Sequence, residues 1–136
     1  MYPTLLPGEY LLFDRWAYRR HAPKRGDVVL ARGLLEGNKA LIKRVVGVSG
    51  DEVKLIQGAV MVNGDKLVLP IPADEVELEE DGQWTIKDNE AFLLGDALEM
   101  STDSRSFGPV PSKMIKARAW LVCWPPNRWR RLDTVT

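Results

Sequence analysis

Histidine and cysteine are each present once in the 136 residues, as His21 and Cys123. A lone cysteine excludes an intrachain disulfide framework, and one His with one Cys cannot assemble a Cys/His zinc site. Neither charge is in excess, with 19 Lys and Arg against 19 Asp and Glu, whereas a dedicated nucleic-acid binder carries a basic surplus. No metal, no cofactor and no nucleic-acid partner is therefore expected. Apolar runs of roughly 18 residues, long enough to span a bilayer, are lacking. Residues 1 to 10 also lack the basic and long apolar regions of a secretory signal. Acid–base chemistry must use His21 or proceed without histidine, and His21 sits in the polar run Arg19-Arg20-His21-Ala22-Pro23, which reads as a solvated loop.

What is there reads as one domain of residues 1–136, long enough to bury a core without covalent staples. Short apolar runs broken by Gly and Pro predict a mainly β fold, with strands at 10–13, 27–31, 41–48, 52–56, 60–62, 91–94 and 115–123. Asn63-Gly64-Asp65 lies between two apolar runs and predicts a tight hairpin, because Asn and Gly tolerate positive φ. Single helical turns are expected at 14–18 and 111–116. Two charge runs, basic at 14–25 and acidic at 74–81, read as solvated loops or hairpin faces. Residues 51–90 are richer in turn residues than their flanks. They are expected to form an insertion subdomain within a core built from 1–50 and 91–136.

Three segments carry possible chemistry. In Ala40-Leu41-Ile42-Lys43-Arg44-Val45-Val46-Gly47-Val48, alternation puts Lys43 and Arg44 on opposite faces, each among apolar neighbours. An arginine there stays charged and needs a carboxylate, whereas a lysine can respond by losing its proton. A neutral lysine in an apolar pocket is a competent general base; the alternative is a lysine snorkelling from an edge strand. The second segment, residues 95–108, follows the apolar run Phe92-Leu93-Leu94 and is dense in short polar side chains, which favours an ordered loop. Asp103 and Arg105 could bridge within it. The third is the opening Met1-Tyr2-Pro3-Thr4-Leu5-Leu6-Pro7-Gly8-Glu9, a short extended stretch bracketed by prolines.

In this order the segments resemble the boxes of bacterial type I signal peptidases, the leader peptidases that use a Ser/Lys dyad. Met1-Tyr2-Pro3-Thr4-Leu5 matches all but the leading Ser of the first box, Ser-Met-x-Pro-Thr-Leu. Lys43-Arg44-Val45-Val46-Gly47 with Gly50-Asp51 matches the lysine box. Gly95-Asp96, Ser101, Asp103-Ser104-Arg105 and Gly108 match the last box, and the Trp-rich run at 120–129 resembles the terminal strand. The resemblance covers nearly the whole chain.

It implies a signal-peptidase/LexA-like antiparallel β core with a short β-hairpin insertion. It also implies removal of signal peptides from exported proteins after Ala-x-Ala. Lys43 would be the general base and Ser101 would orient its amine. Asp103 and Arg105 would brace that loop, with Asp96 supporting it. Met1, Pro3, Leu41 and Ile42 would flank a groove that takes the preprotein as an added strand. The work would be done at the outer face of the cytoplasmic membrane, beside the lipid surface, with anchoring by a helix ahead of Met1. Two departures stand out. Ala97 replaces the usual Asn, and the nucleophilic Ser, with the oxyanion donors around it, should stand before Met1. The chain as given is therefore expected to be inactive. Ser101 is the one other hydroxyl expected near Lys43. A maturation protease with one dedicated substrate and a peptide-binding pseudo-peptidase are the alternatives. Cys123 reads as packing. Trp120, Trp124 and Trp129 read either as packing or, with Arg128, Arg130 and Arg131, as a lipid-facing surface.

Overall fold

The computed structural model describes residues 1, 4–57, 59–67, 81–96 and 102–132. Its main sheet is antiparallel and begins with β1 (Tyr10–Asp14), β2 (Val28–Ala31) and β3 (Leu41–Gly47). It is completed by β8 (Glu90–Leu94), β9 (Val110–Pro111), β10 (Ile115–Trp124) and β11 (Arg130–Arg131). The order is β1-β10-β2-β3-β8-β9, with β11 added to β10. A second sheet is ordered β6-β5-β4-β7 and comprises β4 (Glu52–Ile56), β5 (Ala59–Val62), β6 (Asp65–Lys66) and β7 (Gly82–Thr85). The fold is mainly β, as the strand-rich sequence implies.

Residues directly opposite in an antiparallel pair share a face. Val29 lies opposite Lys43, and Val28 lies opposite Arg44, which in turn faces Leu94. The lysine side of the sheet therefore carries Val29, Ala31, Val45, Leu93 and Ile115, which form one buried cluster. The arginine side carries Val46, Phe92 and Leu94, which pack with Val53, Leu55, Val60, Val62 and Ile86 into a second cluster shared with the smaller sheet. Gly47 sits at this junction. A Cβ there would lie 2.7 Å from Val53 and 3.2 Å from Phe92, so the two sheets approach only because that side chain is absent.

The hairpin at Asn63-Gly64 forms, with φ of 52° and 86° and a two-residue connection between β5 and β6. Asp51 joins this hairpin to the main sheet. It accepts the Val48 N–H and the Asn63 amide, each at 2.9 Å, and pairs with Arg25. The turn expected at 14–18 is not helical. The Asp14 carboxylate takes the Trp16 N–H at 2.8 Å, a local bond that competes with helix, and a bend results. At 111–116 the turn is the 3-10 element Ser112–Met114. Strand β7 had no clear alternation; it forms because β4 templates it, Lys54 opposite Gln83 and Val53 opposite Trp84. Most of the acidic run, residues 74–80, lies outside the described residues, and Asp81 accepts the Gln57 N–H at 3.0 Å.

Candidate active site

Lys43 sits on β3 with only 9% of its surface exposed. Burial holds its amine below the ordinary lysine pKa; nearby Asp103 opposes that shift and Arg105 adds to it. The Met1 amino group is also within electrostatic reach of Lys43 and Asp96, and burial and Lys43 together lower its pKa. Strand β3 thus carries Lys43 within electrostatic reach of Met1.

The loop after β8 is organised by Asp103, which is fully buried. Its carboxylate accepts the Gly95 N–H at 3.2 Å and the Arg105 N–H at 3.1 Å, and the Arg105 guanidinium clasps it at 2.9 and 3.0 Å. Asp103 also caps the single helical turn α1 (Ser104–Phe107), which Gly108 ends with φ of 78°. This turn departs from the loop expected over 95–108. The Asp cap and the Gly four residues after Ser104 were the signal for this turn. Ser104 is a further positioning group missed there: its buried hydroxyl accepts the Leu93 N–H at 2.9 Å and ties the turn to β8.

Asp96 has partners of its own. The Arg44 Nε and Nη2 atoms reach its two oxygens at 2.8 Å each, and both side chains are buried. Arg44 also donates to the Gly26 carbonyl at 3.0 Å and toward the Thr4 hydroxyl, which itself donates to Asp96. Among the described residues, then, Asp96 engages β3 and the opening segment, while Asp103 and Arg105 hold the loop. A second clasp holds the same opening segment. Arg130 on β11 meets both Glu9 oxygens at 2.8 and 2.9 Å and donates to the Thr4 carbonyl at 2.7 Å, which pulls the Glu9 pKa down to about 2. Neither Arg130 nor Glu9 was singled out for this, because they lie at opposite ends of the chain.

Leu41 and Ile42 pair with β2, opposite Ala31 and Leu30. On the other edge of β3 the pairing with β8 starts only at Arg44. Among the described residues, therefore, the edge at Leu41–Ile42–Lys43 has no strand partner on that side. Pro3, Ala97 and Ser101 lie outside the described residues. His21 is exposed in its loop. Cys123 is half-buried with its Sγ 3.5 Å from the Tyr10 carbonyl. Trp120, Trp124 and Trp129 are exposed rather than packed in the core. No cluster of metal-ligating side chains occurs among the described residues.

The chain is similar to known proteins in sequence and in fold. Residues 1–124 fit the sequence model of the family described as signal peptidase, peptidase S26. The chain is 36% identical over 126 residues to mitochondrial ATP-independent inner membrane protease subunit 1b of Arabidopsis thaliana, covering 92% of this chain and 65% of that protein. It is 34% identical over 137 residues to a probable signal peptidase I of Synechocystis, covering 94% of this chain and 61% of that protein. The chain thus spans somewhat under two thirds of the length of both. In three dimensions it resembles the crystal structure of a signal peptidase I from Enterococcus faecalis, with a TM-score of 0.60 and 21% identity over 72% of this chain and 97% of that one. With the family model matched over residues 1–124 and the fold shared, this chain belongs to the signal peptidase family, peptidase S26.

Proposed function

We propose that this domain carries the catalytic base and substrate groove of a Ser/Lys signal peptidase. The observation that carries the reading is the placing of Met1 in electrostatic reach of the buried, low-pKa amine of Lys43. A serine joined ahead of Met1 would stand beside that amine. Lys43 in its neutral form takes the serine proton as the oxygen attacks the scissile carbonyl, then returns it to the departing amine. The serine's own backbone N–H supplies an oxyanion donor. Ser101 is assigned the hydrogen bond that orients the Lys43 amine, in keeping with the family's last box.

The substrate is read as a signal-peptide-bearing preprotein, bound extended along the open edge of β3 at Leu41 and Ile42, with Met1 and Pro3 on the other wall. Backbone hydrogen bonds give affinity in this mode, and small pockets select Ala-x-Ala. Residues 51–90 are read as an insertion subdomain within a catalytic core of residues 1–50 and 91–136. The setting is read as a membrane, as the names of the inner membrane protease relatives suggest, and its outer face is what the resemblance implies.

The test joins a serine and a short family-like segment ahead of Met1 and measures cleavage of a preprotein with an Ala-x-Ala site. Cleavage after the second Ala is expected, and Lys43→Ala should abolish it. Full activity of the Lys43→Ala form would overturn the assignment of the base. A panel of general signal peptides left uncut by an enzyme active on one substrate would favour a dedicated maturation protease.

A further inference from the structure

A cavity of about 820 Å³ lies apart from Lys43, and its walls carry Arg15, Arg19, Arg32 and Lys116. Among the described residues, no carboxylate lines it. In a chain of zero net charge, four cations around one hollow concentrate charge that the rest of the surface balances. Its floor is Phe13, Leu30 and Ala117. Strand register places these on the face that carries Arg44: Ala117 is opposite Leu30, and Phe13 is opposite Ala119, which faces Val28. Lys43 points to the other face.

The nearby acids are engaged elsewhere. Asp14 accepts the Trp16 N–H, and it lines a neighbouring cavity with Asp27 and Arg118, which form an ion pair at 3.5 Å. Among the described residues no carboxylate pairs with Arg15, Arg19 or Arg32, and Lys116 donates to the Lys113 carbonyl at 2.9 Å. The rim is aromatic. Trp16 is 64% exposed, and the Arg19 guanidinium lies over its ring at 5.5 Å.

We propose that this cavity is a phosphate site that takes the headgroup of an anionic phospholipid, so that the domain docks on a membrane through the Trp16 loop. Arginine forks match phosphate oxygens in pairs. An exposed tryptophan with a basic cluster is the pattern of a group seated at the lipid–water boundary, where apolar ring and cation each find a partner. A soluble phosphate ester would satisfy the arginines and leave Trp16 in water, and that is why the headgroup is favoured. The site is independent of the Ser/Lys reading, because none of its residues serves Lys43.

The test is co-sedimentation of the 136-residue chain with phosphatidylcholine vesicles with and without phosphatidylglycerol. Binding is expected only with phosphatidylglycerol and should weaken as salt rises. Arg15→Gln with Arg32→Gln should lower it by about ten- to thirtyfold. Lys54→Gln with Lys87→Gln removes the same charge elsewhere and should lower it far less, and Lys43→Ala should leave it intact. Circular dichroism of each variant checks the fold. Equal losses in the two double variants would overturn the site in favour of net charge alone. Binding of glycerol phosphate in solution without vesicle binding would overturn the lipid, and so would binding of an acidic peptide alone.

Discussion

Arg44 and Asp96 form a buried two-pronged ion pair, both contacts at 2.8 Å, and the same two groups hold the Thr4 hydroxyl. The pair is not itself placed to react. It fixes the opening segment against β3, so that Met1 lies near Lys43, the adjacent residue whose side chain emerges from the other face of the strand.

Breaking that pair on one side leaves an uncompensated buried charge. Arg44→Met is expected to destabilise the fold by about 3–5 kcal/mol, and Arg44→Met with Asp96→Leu by clearly less, since both charges then disappear together. Urea unfolding of the single and double variants measures the difference. Equal losses would show that the carboxylate does not depend on Arg44.

Arg105 lowers the pKa of Lys43, and it also neutralises Asp103, which raises it. Arg105→Gln removes the first effect and unmasks the second, so the Lys43 pKa should rise. Lysine Cε shifts followed by NMR through the alkaline range measure this directly. In the parent protein the folded lysine holds its proton less tightly than the unfolded one. Stability should therefore increase with pH between the folded pKa and the unfolded lysine value, and Lys43→Met should lose that rise. A Lys43 resonance titrating with the other lysines would contradict the burial argument.

Glu9 acts in the same sense at the acid end of the pH range. Its folded pKa near 2 lies below the ordinary value of 4.5, so its clasp with Arg130 contributes fully above pH 4.5 and is lost as pH falls toward 2. Glu9→Gln should destabilise at neutral pH, with about 1–3 kcal/mol as the scale of a charged hydrogen bond. The difference from the parent should shrink in acid. Unfolding curves at neutral pH and near pH 2.5 test it, and a constant difference would mean that Glu9 does not titrate with the clasp.

Gly47→Ala should cost about 1–3 kcal/mol, because the added methyl meets Val53 and Phe92 at the junction of the sheets. Thermal unfolding reports the loss. Val53→Ala, combined with it, should restore part of the stability by opening the space that the methyl needs.

Much of this architecture was legible locally. Alternation along 41–47 placed Lys43 and Arg44 on opposite faces, and Asn63-Gly64 could hardly close anything but a two-residue hairpin. The requirement that Arg44 find a carboxylate was also readable, because a guanidinium cannot shed its charge. Strand β7 and the turn Ser104–Phe107 were not read. The first depends on pairing with β4, and the second on a cap only four residues from its end.

By itself, then, the sequence determined the strand periods, the tight turn and the family boxes, all of which reside in neighbouring residues. Only the tertiary structure decided which partners meet. Asp96 reaches Arg44 from 52 residues away and Arg130 reaches Glu9 from 121. Arg15, Arg32 and Lys116 come to one cavity from separate strand ends. Such meetings are set by strand order and register, and a shift of one residue in register would turn every side chain to the other face. That is why no local pattern could announce them.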